Sequence, residues 1–173
     1  EPDSNPRDVG RMDGASYRPR AMVTGPLGRV WTAAVPDYGI WGGPLSWFDP
    51  ATEQFGTYRD IAGAASCWSL AWLEAQEAIA VGTTTMGGSG TQPRVEKASL
   101  FLWDYKDEQK LWEGTPDGLV TSINALLCGP DGRLYGTAYG EGTSPKLFVF
   151  DPEAWTFGTL IPLPLGSPLD GGL

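Results

Sequence analysis

Short apolar runs alternate with glycine, proline and small polar residues along most of the chain. The runs are rich in aromatic and β-branched residues, which fit a pleated sheet better than a helix. The 24 glycines and 15 prolines are dispersed between these runs, where turns are expected. The segment Leu73–Ile79 has a short stretch of helix-like spacing, but its position between two apolar runs of the repeat favours a hairpin. The pattern predicts an all-β protein of many short strands joined by tight turns.

The apolar runs belong to a repeat. The phrase GPDGRLYG at Gly129–Gly136 recurs as GPLGRVWT at Gly25–Thr32, and each copy is followed by an apolar run that ends on Asp-Pro. A degenerate copy lies between them, and the three runs end on Asp49, Asp104 and Asp151. This spacing of about 50 residues is typical of the four-stranded blades of a β-propeller.

Each repeat divides into four strands, A to D from the channel outward. The expected A strands are Arg18–Val23, Cys67–Trp72 and Ser122–Leu127. The B strands are Arg29–Ala33, Ala78–Val81 and Arg133–Thr137; the C strands are Leu45–Phe48, Ser99–Trp103 and Lys146–Phe150; the D strands are Gln54–Tyr58, Gln109–Trp112 and Thr156–Leu160. Because Asp49, Asp104 and Asp151 recur at the C–D corner, they are expected to cap turns.

The predicted fold class is all-β, a partial β-propeller of about three four-stranded antiparallel blades plus the start of a fourth. The blades are expected at 17–62, 63–117 and 118–167, and the first strand of a truncated fourth at 168–173. Residues 1–16 would be a linker or the remnant of a preceding blade. Since closed propellers need at least about four blades, either further blades of the same chain or a homo-oligomer would close the ring.

Charge and composition exclude several classes of partner and catalytic site. The net charge of −9 and the scattered basic residues argue against nucleic acid as a partner. No stretch approaches the ~20 apolar residues that span a membrane. The absence of histidine excludes a histidine-based triad, base or metal ligand within this chain. Cys67 and Cys128 are expected to be buried free thiols, with one disulfide as the alternative.

A first candidate site lies at the start of the A strands, which line a propeller channel. Aligning the repeats places four polar residues at the same position: Arg20, Ser69, Asn124 and Asp170. They could form a ring that binds an anion, a sugar or a metal. The alternative is that channel walls are wet and tolerate polar residues without a ligand.

The B–C loops supply the second candidate site, because loops on a rigid scaffold carry binding residues. Tyr38, Trp41 and Tyr139 could stack on sugar rings, with Asp37 and Glu141 as nearby hydrogen-bond acceptors. The alternative is that these aromatic residues pack between blades. The glycine-rich run at 87–90 predicts a flexible loop tip, since it lacks the Lys-Ser/Thr ending of a phosphate loop.

The repeats resemble those of bacterial β-propeller proteins that are secreted or belong to the cell envelope. In addition, the stretch NALLCGPDG from Asn124 resembles the N-G-L-x-x-S-P-D-G motif of the gluconolactonase family of six-bladed propellers. This resemblance implies a divalent metal held by Asn124 and Asp170, although Arg20 stands where that family has a glutamate. The resemblance to the bacterial repeats implies a secreted or cell-envelope location.

Three functions remain open at this point, and with them whether the protein is an enzyme. The leading one is a propeller scaffold that binds a small polar ligand, such as a carbohydrate, at the channel mouth. The second is part of a metal-dependent lactonase-like or polysaccharide-lyase-like propeller enzyme. The third is a protein-interaction scaffold. Repeat motifs specify architecture better than activity.

Overall fold

The computed structural model describes residues 6–12, 17–116, 118–140 and 142–164. Within these ranges the chain forms thirteen β-strands and no α-helix. The strands are β1 (Arg18–Thr24), β2 (Val30–Val35), β3 (Leu45–Asp49), β4 (Gln54–Tyr58), β5 (Ser66–Leu73), β6 (Ala78–Thr84), β7 (Leu100–Asp104), β8 (Gln109–Gly114), β9 (Ser122–Cys128), β10 (Leu134–Tyr139), β11 (Lys146–Asp151), β12 (Thr156–Phe157) and β13 (Ile161–Pro162). The all-β prediction is confirmed, and every predicted strand has a counterpart.

Consecutive strands pair antiparallel in three successive units: β1–β4, β5–β8 and β9–β12. The short β13 adds to β11, and a single bridge between Thr84 and Ser122 connects the second unit to the third. Across units, β1 packs against β5, and β5 against β9. The first strands of the three units therefore lie side by side, with the later strands further out. The fourth-blade residues, 168–173, lie outside the described residues.

The second unit has two buried faces. In β7, Phe101 and Trp103 face the first unit together with Trp31, whereas Leu100 and Leu102 face the third unit together with Phe148. All six side chains are almost completely buried. Successive side chains of a strand point to opposite faces, and in the second unit both faces are buried. The middle repeat therefore has continuous apolar runs instead of an alternation with polar residues.

The recurring aspartates cap the turns between the third and fourth strands, as the repeat predicts. The Oδ1 atom of Asp151 accepts hydrogen bonds from the backbone N–H groups of Glu153 and Ala154 at 2.9 and 3.0 Å. These bonds hold the pKa of Asp151 below its usual value. Asp49 and Asp104 each accept two backbone bonds in the same way. Their role is structural.

The turn between β1 and β2 contains a strained leucine. Leu27 has φ 60° and is 70% exposed, so it adopts a left-handed conformation without packing that compensates for it. Leu27→Asn should raise the free energy of unfolding by about 0.5–1 kcal/mol, because asparagine tolerates this conformation. Urea denaturation measures the change. Leu119→Asn is the control, since Leu119 is 68% exposed but has no positive φ; an equal gain in both variants would contradict the explanation.

Both cysteines are free thiols, as expected. Cys67 is completely buried, and burial raises its pKa to about 12. Cys128 is only half-buried, so the expectation that both thiols are buried is wrong for this residue. Cys67 therefore acts as a small packing residue rather than a nucleophile.

The described residues include no helix with the length and apolar character of a membrane span.

Candidate functional site at the loop-bearing end

Each inner strand contains a β-bulge at the same place. In β1 the pairing with β2 skips Arg20, in β5 the pairing with β6 skips Trp68, and in β9 the pairing with β10 skips Asn124. A bulge adds an unpaired residue and re-aims its side chain. The structurally equivalent residues of the three described units are therefore Arg20, Trp68 and Asn124.

This equivalence corrects the sequence alignment at Ser69, which lies one residue beyond the bulge. Ser69 is 2% exposed, and its hydroxyl donates a hydrogen bond of 2.7 Å to the carbonyl oxygen of Ile123 in β9. The hydroxyl thus fastens one inner strand to the next and does not face a ligand. The physical reason for the error is the bulge itself, which shifts the residue pattern by one position without leaving a mark in the sequence.

The bulged residues of the first two units are in contact. The guanidinium of Arg20 lies over the Trp68 ring, 4.5 Å from its centroid, and the Arg20 side chain is exposed. Asn124 is half-buried, and its Oδ1 accepts a hydrogen bond from the Ser122 hydroxyl. Asp170 lies outside the described residues. Of the four predicted ring members, the structure therefore places Arg20 and Asn124 at bulges.

The implied divalent metal finds no ligand set among the described residues. No group of three or more aspartate, glutamate, cysteine or histidine side chains comes together there. Asn124 offers one amide oxygen, which the Ser122 hydroxyl already engages. Hard divalent cations need several oxygen ligands at once. The described part of the chain does not fit the metal that the resemblance implies.

The loop at 36–42 of the first unit packs on the glycine run at 87–90 of the second. The Gly39 N–H donates to the Ser89 carbonyl at 3.0 Å, and the Gly88 N–H donates to the Ile40 carbonyl at 2.8 Å. A Cβ on Gly88 would lie 1.8 Å from the carbonyl oxygen of Asp37. The glycine run is therefore a packed element that allows close backbone contact. The prediction of a flexible loop tip is wrong.

The predicted aromatic residues of the loops differ in what they can offer. Tyr38 is 74% exposed and lies against Gly90, whose Cβ would be 2.7 Å from the tyrosine Cζ. Trp41 donates from Nε1 to the Gln92 carbonyl at 2.9 Å, and the Arg94 guanidinium covers its ring at 3.3 Å from the centroid. Tyr38 thus presents an open ring face, whereas one face of Trp41 is occupied.

Of the remaining predicted loop residues, Asp37 adjoins Tyr38, Tyr139 belongs to the third unit, and Glu141 is not among the described residues. Asp37 accepts a hydrogen bond from the Tyr38 backbone N–H at 2.6 Å, so it shapes the loop. Tyr139 is half-buried at the end of β10, and its carbonyl accepts from the Thr121 N–H. Glu141 is outside the described residues.

The loops at 36–44, 59–65 and 85–99 lie at the same end of the strands, which is called the loop-bearing end. Two cavities lie at this end, and Pro93 lines both. The smaller, about 250 Å³, lies between the first two units and is lined by Arg18, Arg20, Val35, Met86, Pro93 and the run 87–91. The larger, about 670 Å³, lies between the second and third units and is lined by Thr85, Pro93, Arg94, Val95, Glu96, Leu119, Thr121 and Gly140.

The two ends of the units differ in charge. The described turns at the far end are acidic, with Asp49, Glu53, Glu74, Glu77, Asp104, Asp107, Glu108, Asp131, Asp151 and Glu153 against Arg29, Lys106 and Arg133. The loop-bearing end has the opposite balance, with Arg18, Arg20, Arg59, Arg94, Lys97 and Lys146 against Asp37, Asp60, Glu96 and Glu113 among its described residues. The described part of this end is therefore basic, although the whole chain has a net charge of −9.

No family model matches the sequence, and a search of curated proteins finds no similar one. Solved structures do match. The WD40 repeats of RRP9 superpose with a TM-score of 0.62 at 12% identity, over 87% of this chain and 40% of that one. The U3-55K structure gives 0.61 at 11% identity, over 87% and 41%. The chain has a partial β-propeller fold.

A third propeller-like neighbour is the extracellular domain of the putative hybrid two-component system BT4673 from B. thetaiotaomicron. It matches with a TM-score of 0.52 at 12% identity, over 83% of this chain and 16% of that one. The chain thus spans less than half the length of each of these structures. At such identities the likeness concerns the fold, which hosts many unrelated functions.

Sequence reasoning missed several residues of this end. Arg18, Trp68 and Pro93 were not singled out, although Arg18 and Arg20 form a basic pair at the start of a strand in an acidic chain. That local contrast was the available signal. The sequence contains no comparable signal for Pro93, because its position beside two cavities depends on how the loop at 85–99 folds.

Proposed function

We propose that this propeller segment is a ligand-binding scaffold whose loop-bearing end takes a carbohydrate. The observation that carries the proposal is the open face of Tyr38, which a packed loop holds against Gly90 in the lining of the smaller cavity. A flat aromatic ring buries the apolar face of a sugar at little entropic cost, while its hydroxyl stays in water. Rigid support from the glycine run reduces the cost of ordering the loop.

The cavities suit the remainder of such a ligand. The larger one combines the hydroxyl-bearing residues Thr85 and Thr121 with the apolar side chains of Val95 and Leu119. Its volume of about 670 Å³ falls in the range of small-molecule sites, roughly 300–1,000 Å³. A secreted or cell-envelope location fits this ligand class, and one structural neighbour is described as an extracellular domain.

Tyr38→Ala should weaken carbohydrate binding at least about tenfold, because it removes the stacking face. Tyr38→Phe is the matched control and should keep most of the affinity, since it retains the ring. A glycan array selects the ligand, and titration followed by tryptophan fluorescence measures the dissociation constant. Failure of every glycan to bind the wild-type protein, or equal binding by Tyr38→Ala, would contradict the proposal.

A protein-interaction scaffold is the second candidate, favoured by apolar side chains that remain exposed at the same end. Ile40, Met86 and Leu119 are 42%, 55% and 68% exposed. Clustered exposed apolar groups often mark protein-binding surfaces. Ile40→Ser, at a residue that lines neither cavity, would weaken binding of a protein partner more strongly than binding of a sugar at Tyr38. The opposite ranking would favour the carbohydrate.

A further inference from the structure

The described lining of the smaller cavity is basic. Arg18 and Arg20 both belong to it, and none of its described residues carries a carboxylate. Neither arginine forms an ion pair with any described aspartate or glutamate. In a chain with a net charge of −9, two neighbouring guanidinium groups that have no acidic partner in the described part of the chain are a specific local feature.

Both arginines are held in place, and most of their donors remain available. Arg18 donates from Nη2 to the Ser89 hydroxyl at 2.9 Å. Arg20 rests on the Trp68 ring, a contact that uses none of its five N–H donors. Each side chain is thus oriented by the neighbouring unit before any ligand arrives. Such orientation lowers the entropic cost of binding.

The opposite wall brings backbone close to the arginines. It is the glycine run, where Gly90 has φ +81° and the lack of side chains leaves the backbone accessible. The Thr91 hydroxyl closes this wall by donating to the Gly88 carbonyl at 2.7 Å. With a volume of about 250 Å³, the cavity is smaller than the ~300–1,000 Å³ of whole-ligand sites, so it fits one charged group of a larger ligand.

We propose that this cavity binds a carboxylate or sulfate group of an acidic carbohydrate, with Arg18 and Arg20 as the anion-binding residues. The inference rests on the proposed function and specifies its ligand class. Guanidinium groups pair with carboxylate and sulfate oxygens through charge-assisted hydrogen bonds. Pro93 lines both this cavity and the larger one, and Tyr38 contacts Gly90 of this cavity, so the rest of the sugar chain would extend past Pro93 and Tyr38.

The test is calorimetric titration of the whole chain with trigalacturonate, with its fully methyl-esterified form and with inorganic sulfate. The ester keeps the sugar rings and removes the charges. The variant is Arg18→Gln with Arg20→Gln. Its matched control is Lys97→Gln with Arg133→Gln, which removes the same charge from exposed positions outside the cavity. Since all four side chains are exposed, every variant should fold, and near-UV circular dichroism checks this.

The wild-type protein should bind trigalacturonate at least about tenfold more tightly than the ester, and more weakly as salt rises. The Arg18/Arg20 variant should lose this preference, whereas the control should keep it within about twofold. Equal binding of acid and ester, or an unchanged preference in the Arg18/Arg20 variant, would overturn the inference. Carbohydrate binding that depends on Tyr38 would then still support the proposed function.

A different outcome would support the anion site and contradict the proposed carbohydrate binding. Sulfate binding that is lost in the Arg18/Arg20 variant, without binding of any oligosaccharide, would support the anion site and contradict the carbohydrate proposal. Absence of binding by all three probes would overturn the inference.

Discussion

Trp31→Ala lowers the free energy of unfolding by about 3–5 kcal/mol, the largest loss expected from any single change in the first unit. Trp31 is 0% exposed, and its ring stacks on Tyr58 with centroids 6.3 Å apart. It also faces Ile79 of the second unit, since a Cβ on Gly25 would touch both side chains. Removing the indole opens a cavity between two sheets that cannot close by local movement.

Urea denaturation measures the loss, and Trp31→Phe is the matched control. The indole N–H of Trp31 is buried without an acceptor among the described residues, so phenylalanine removes an unsatisfied donor together with part of the ring. Its cost should be less than half that of alanine. A cost for Trp31→Ala below about 1 kcal/mol, as for a surface side chain, would contradict burial between two units.

Gly88→Ala should separate the two loops that build the candidate site. The new Cβ would lie 1.8 Å from the Asp37 carbonyl oxygen, and this atom belongs to backbone, which cannot rotate away. Both loop–loop hydrogen bonds would be strained or lost. The expected cost is about 1–3 kcal/mol in stability, with at least about a tenfold loss of ligand affinity as Tyr38 and the cavity wall shift.

Denaturation and titration of the same preparation measure both effects. Gly158→Ala is the control, because Gly158 has no positive φ and its Cβ would meet the nearest atom at an ordinary 3.4 Å. It should change neither quantity by much. If Gly88→Ala matched this control in stability and binding, the packed contact between loops 36–42 and 87–90 would be refuted.

The scaffold was predictable because its determinants are local. The turn phrases around Gly28 and Gly132 need a positive φ after proline, and both glycines adopt it, at 70° and 77°. The aspartates at the third-strand corners bond to backbone two and three residues later, which a short sequence window contains. The order of the strands could be predicted because these turn residues and aspartates recur at fixed positions in the repeats.

The site was less predictable because it depends on contacts between units. The sequence singled out Arg20, Tyr38 and Asn124, but a bulge moved the second inner position from Ser69 to Trp68. The glycine run resembled a free loop because the surface it packs on lies about 50 residues away in the chain, one repeat earlier. Only the folded chain shows that Arg94 covers Trp41 and leaves Tyr38 open.

The central claim is that the antiparallel units bury their faces on one another in radial order. A double-mutant cycle between Tyr58 of β4 and Trp103 of β7 tests it, since these rings lie 4.9 Å apart across the first and second units. With leucine at each position, the account predicts a coupling free energy of about 0.5–1.5 kcal/mol. Additive effects, with no coupling beyond error, would show that the two sheets do not pack together as described.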